Sequence, residues 1–107
     1  MRPVTVFKIS TGSTNPVPTN LFATPFNVGI GVVVSGTVNY TVQHTFDDIW
    51  ASNYSAASGN WYNHSSLAAQ TANADGNYAF PVTAVRLTVN SGAGTATMTL
   101  IQAGVAQ

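Results

Sequence analysis

From Thr83 to Leu100 the apolar side chains fall on every second residue, and this period rules out most of what a chain of this size could become. Val85, Leu87 and Val89 alternate with Ala84, Arg86, Thr88 and Asn90. After Ser91-Gly92-Ala93-Gly94, Ala96, Met98 and Leu100 alternate with Thr95, Thr97 and Thr99. Successive side chains of a strand point to opposite faces, so a period of two means strands with one apolar face. The spacing predicts a β-hairpin closed by the glycine-rich turn. The same period recurs twice upstream. Asn27 to Val34 places Val28, Ile30, Val32 and Val34 on one face, with Gly29 and Gly31 on the other. Glycines there would let another backbone or chain approach closely. Thr37 to Gln43 places Val38, Tyr40 and Val42 on one face, and Ser35-Gly36 between the two runs predicts a second hairpin. Pro3 to Ile9 reads as a first strand that packs through either Val4 and Val6 or Thr5 and Phe7. No helical period of 3.6 is sustained for 12 residues anywhere. The expected fold is a single all-β domain over residues 1–107, an antiparallel β-sandwich or jelly roll.

Two segments break the pattern. Ser10 to Phe26 carries Pro16, Pro18 and Pro25, and proline both fixes φ and removes a donor. Residues 10–26 are therefore expected to be an extended arm or long loop outside the sheet interior. Phe46 to Asn77 is rich in Ser, Ala, Asn and Gly and reads as a long, mostly irregular central loop. Loops of such length in a compact domain are uncommon and often functional.

Only six residues carry a formal charge: Arg2, Lys8, Arg86, Asp47, Asp48 and Asp75. That is 6% of the chain, against about 25% in ordinary proteins. Three cations cannot supply the phosphate contacts that nucleic acid requires, and they are too few to hold an anionic membrane. The longest apolar run, Val28 to Val34, is far short of the ~20 residues of a membrane helix. Disorder is excluded by 45% hydrophobic residues at zero net charge. The opening Met-Arg-Pro-Val-Thr-Val-Phe-Lys-Ile lacks the long apolar stretch of a secretory signal, so none is expected. The absence of cysteine excludes disulfides and thiolate chemistry and agrees with folding in a reducing cytoplasm. A neutral surface of Thr, Ser, Asn and Gln tolerates close association, which points toward assembly.

Chemistry-bearing motifs are sparse, and an enzyme is not expected. Asp47-Asp48 is the one carboxylate pair, and adjacent residues rarely face each other across a scissile bond. Asp47 or Asp48 is expected to cap a turn, and Asp75-Gly76 to form one. His44 and His64 lie twenty residues apart without metal-ligand spacing, so no metal or other cofactor is expected, although a site joining them to Asp47 is conceivable. Gly29-x-Gly31 lacks the third glycine and the helix of a dinucleotide site. The aromatics of the central loop, Trp50, Tyr54, Trp61 and Tyr62, have three readings. They fold inward and hold the loop, they anchor a protein interface, or they stack on sugar rings beside Asn53, Asn60 and Asn63. Together with Pro16, Pro18 and Pro25 of the arm they form the candidate interface set.

Several pieces of the chain have a familiar look: Tyr40-Thr-Val-Gln-His-Thr-Phe-Asp-Asp48, Trp61-Tyr-Asn-His64, Asp75-Gly-Asn-Tyr-Ala-Phe-Pro81, and Val85-Arg-Leu-Thr-Val-Asn-Ser-Gly92 leading to Leu100-Ile-Gln-Ala-Gly104. They resemble small virion-associated proteins of tailed bacteriophages over roughly the last two-thirds of the chain, while residues 1–37 contribute nothing to the likeness. The resemblance implies a capsid decoration or cement protein, a class with β-sandwich or jelly-roll folds that often forms trimers. Its partner would be the major capsid protein at capsomer junctions, on the capsid exterior, after assembly in the bacterial host cytoplasm. No catalytic or ligand residues carry over. The alternative is a carbohydrate-binding or host-adhesion module, as in a head fibre or tail component.

Overall fold

The structure is a computed structural model that describes residues 3–20, 26–55 and 59–102. It is all-β, with no helix among the described residues. The described residues form nine strands: β1 Val4–Ile9, β2 Gly12–Ser13, β3 Val17–Pro18, β4 Val28–Ser35, β5 Val38–Thr45, β6 Tyr62–Asn63, β7 Ala74–Tyr78, β8 Ala84–Gly92 and β9 Thr95–Gln102. They form two antiparallel sheets packed as a sandwich. One has the order β1-β9-β4-β7, and the other β2-β8-β5-β6, with β3 also paired to β8.

The apolar faces expected from the alternation are the ones that meet between the sheets. Val28, Ile30 and Val32 of β4 and Ala96, Met98 and Leu100 of β9 face Val38, Tyr40 and Val42 of β5 and Val85, Leu87 and Val89 of β8. On β1 the inward set is Val4 and Val6, while Thr5, Phe7 and Ile9 face out.

Neither expected hairpin forms. β4 pairs with β9 and β5 with β8, so each short turn carries the chain from one sheet to the other. The two turns lie side by side, and Gly94 N donates to Thr37 O at 2.9 Å. A side chain at Gly92 or Gly94 would run into the backbone of the neighbouring turn, at Thr37 or Ser35 respectively. Alternation states that a strand has one apolar face. It does not state whether the next strand lies beside that face or across from it.

The proline-bearing segment is also more ordered than expected. Gly12–Ser13 and Val17–Pro18 run antiparallel along β8, and Thr14 N and Thr19 N donate to Leu87 O and Thr83 O. Together they make an interrupted edge strand. Pro16 falls in the interruption and Pro18 sits at the sheet edge, where a missing donor breaks no ladder. Pro25 lies outside the described residues.

The central segment is broken by two strands that the sequence hid. β6 pairs with Gln43 and His44. Beyond it the chain follows the free edge of β5: His64 N donates to Val42 O, Val42 N to Leu67 O, and Tyr40 and Gln70 exchange two bonds. Leu67 enters the core from this edge and is fully buried. Asp75-Gly76 is no turn, because it lies within β7 opposite Gly31 and Ile30. Gly76 faces inward, where an added Cβ would press at 3.1 Å on both His64 and Leu67. The residue is small because the loop packs against it, and the dipeptide's turn preference gives way to that packing.

Candidate functional site

Three short stretches share one pattern: His44-x-Phe46, Tyr62-x-His64 and Tyr78-x-Phe80. Each places two rings on one side of the extended chain. Pairing of β5 with β6, and the folding of β7 over the same end of the sandwich, bring the six rings together. His44 stands at the centre. Its ring lies 5.4 Å from Phe46, 5.8 Å from Tyr62, 4.7 Å from Tyr78 and 5.5 Å from Phe80, with Tyr62 stacked and the others edge-on. His64 packs on Tyr78 at 4.8 Å.

Hydrogen bonds fix much of the cluster. The Tyr78 hydroxyl and His44 Nδ1 are 2.8 Å apart. His64 Nε2 donates to Asn77 O at 2.8 Å, and its Nδ1 accepts from Ser66 N at 3.1 Å. In this arrangement Nε2 is the donor and Nδ1 the acceptor. Burial pushes the His44 pKa down, with a smaller push from a charge on His64. Burial alone holds the Tyr78 hydroxyl far above its ordinary range. Both groups are therefore neutral near pH 7. Neither imidazole hydrogen-bonds a carboxylate, and no group of three metal-ligating side chains occurs among the described residues. The inner half of the cluster packs the sandwich end. The outer half, Phe46, Tyr62 and Phe80, is about half exposed, and Phe46 lines a small open depression with Pro81, Val82 and Thr83.

The expected interface set is divided by the fold. Trp61 and Tyr62 are consecutive on an extended chain and so face opposite ways. Tyr62 joins the ring cluster. Trp61 lies on the outside of the second sheet with the Arg86 guanidinium 4.1 Å above its ring, and Arg86 Nε donates to Gln43 Oε1 at 2.9 Å. One face of that indole is thus covered by a cation. Trp50 is 61% exposed, on a turn whose amide donates to Asp48 Oδ1 at 3.1 Å. Asp48 thus caps a turn, as expected of one of the two aspartates, while Asp47 Oδ2 accepts from Asn60 N at 2.8 Å, thirteen residues along the chain. Tyr54 is half-buried, and its buried hydroxyl has no hydrogen-bond partner among the described residues. Its pKa is raised by burial first and by Asp47 second, with Arg86 opposing. Pro16 and Pro18 lie along the β8 edge, away from the six-ring cluster in the chain's pairing.

A second surface was missed. The outer face of the β1-β9-β4-β7 sheet exposes Phe7, Ile9, Val33 and Ile101 by 51–61% each. Between them run Thr95, Thr97 and Thr99 of β9 and the bare backbone of Gly29 and Gly31. Asp75 is the only charged side chain on this face among the described residues. The sequence signal was the out-facing set of β1, which competes with Val4 and Val6 for the core until both neighbours are known. Fold and surfaces together define an all-β sandwich with one exposed apolar sheet face and one aromatic rim. No family model, curated protein or solved structure matches the chain.

Proposed function

We propose that this chain is a structural protein of a tailed-phage virion, a decoration or cement protein that binds the major capsid protein on the capsid exterior as a homo-oligomer. The observation that carries the reading is the outer sheet face: four exposed apolar side chains interleaved with threonines, with one charge among the described residues. Exposed apolar side chains gathered on one face mark interaction sites, and a face with one charge has little desolvation cost to overcome on docking. The sequence likeness to virion-associated proteins supplies the partner class. The strand order also supports it. With β2 and β3 taken as one interrupted strand, the two sheets follow the wrap of a jelly roll, a fold used by capsid and lectin domains. Fold does not fix function, so the surface and the likeness carry the argument. Several modest contacts per particle would act together by multivalency, which is how a small protein resists outward pressure on a shell.

The test is sedimentation of the purified protein with phage heads, together with mass spectrometry of purified particles. Saturable binding to heads and presence in virions are the expected results. A chain absent from virions that does not bind heads would overturn the reading.

A carbohydrate-binding or adhesion role has one observation in its favour, the half-exposed rim of Phe46, Tyr62 and Phe80, with a small open depression at Phe46. Glycan-array binding that is lost in Tyr62→Ala, with no binding to heads, would establish that role instead.

A further inference from the structure

We infer that the outer face of the β1-β9-β4-β7 sheet pairs with the same face of a second copy of this chain, about a two-fold axis that runs parallel to the strands between β9 and β4. The argument rests on the residues that share rows across the sheet. Ile101 of β9 is level with Gly29 of β4, and Thr99 is level with Gly31. Each row therefore carries a side chain on β9 and a bare backbone on β4. A two-fold axis between those strands lays each copy's β9 over the other's β4. Ile101 then enters the space above Gly29, and Thr99 the space above Gly31, in both directions at once. Among the described residues an added Cβ at Gly31 meets nothing within 4 Å, and at Gly29 only a carbonyl oxygen at 3.8 Å. None of the described residues requires either position to be glycine, and glycine weakens a strand interior. Their bareness has a use if something else lies on the face.

Charge and area agree. The same operation lays β1 over the partner's β7, which sets the Thr5 hydroxyl against Asp75, the only charged group on the face among the described residues. The two Asp75 carboxylates stand three strand spacings apart, roughly 14 Å, beyond the Debye length of about 10 Å. Four strands at ~4.8 Å and four rows of side chains cover roughly 500 Å² per copy, about 1,000 Å² for the pair. That is the lower limit for a specific interface, so a reversible pair is expected and not a permanent one. The pair covers the face on which the virion proposal rests, so a copy paired in this way does not dock on the capsid protein through it, and a two-fold pair differs from the trimer that the sequence likeness implies.

Sedimentation equilibrium of the full chain from about 1 to about 500 µM spans the affinities expected of such an interface. The expected result is a reversible monomer–dimer equilibrium. Gly31→Lys should weaken it by at least about tenfold while thermal stability stays the same or rises, because the new side chain occupies open space on the subunit. Tyr62→Ala, at the aromatic rim, should leave it unchanged. A wild-type chain that is monomeric throughout, a trimer, or a dimer insensitive to Gly31→Lys would each overturn the inference. Head sedimentation of the wild-type chain at concentrations where it is monomeric leaves the face open and reads the virion proposal separately.

Discussion

Among single residues, His44 has the clearest solution signature. It is 6% exposed, ringed by Phe46, Tyr62, Tyr78 and Phe80, and its neutral form is favoured by burial and then by repulsion from a charge on His64. The folded pKa lies below that of the unfolded chain, so between the two values the unfolded chain binds more protons. This contribution to stability is present above the ordinary imidazole value of about 6.5 and is lost as pH falls through the folded value. Thermal melts from pH 8 downward should show a steeper acid-side loss for the wild type than for His44→Gln, the difference opening below about pH 6.5. Equal slopes would place the acid sensitivity elsewhere. Gln102 is the other informative residue. It is 2% exposed, its Oε1 accepts from Asn20 N at 2.8 Å, and its Nε2 donates to Asn20 O at 2.7 Å. Gln102→Leu removes both partners of that backbone pair and should cost about 1–3 kcal/mol in urea unfolding. A neutral result would mean that water replaces the amide at no cost.

At the scale of elements, the segment along the free edge of β5 behaves as part of the sheet. It exchanges backbone bonds with Tyr40 and Val42 and drives Leu67 into the core. Leu67→Ala should therefore cost about 2–5 kcal/mol, as much as Leu87→Ala on β8, because both side chains are fully buried. Chemical denaturation of the two variants makes the comparison. A change near zero at Leu67 would show that the segment packs independently of the sandwich. The inward faces of β4, β5, β8 and β9 were legible because each carries three or more aliphatic or aromatic residues in strict alternation. β7 was not. Ala74-Asp75-Gly76-Asn77-Tyr78 has weak strand propensity and only Tyr78 as a large apolar residue. Pairing with β4 makes it a strand. β2 and β3 were hidden in the same way, since two-residue strands beside prolines exist only because β8 offers an edge.

For the molecule as a whole, the decisive feature is that, β5 and β6 apart, strands consecutive in sequence do not pair. β1 pairs with β9 through Val4 and Leu100, and both short turns join opposite layers. Nearly every ladder therefore closes a long loop, which must be ordered before its contacts reward it. Refolding from urea followed by tryptophan fluorescence should be slow for a chain of this length, on the order of milliseconds to seconds. Microsecond folding would contradict this strand pairing. Of the residues first considered for an interface, Trp61 is covered by Arg86 and Tyr62 joins the rings around His44.

The sequence by itself determined the fold class and which side of each strong strand is core, because burial of alternate side chains is a local property of an extended chain. It also determined what the surface lacks, since charge is counted and not folded. The tertiary structure alone decided which strands pair, where the six rings converge, and that Gly29 and Gly31 lie level with Ile101 and Thr99. Those are relations between residues distant along the chain. Their register is set by how two sheets share one core, and no period within a single strand contains it.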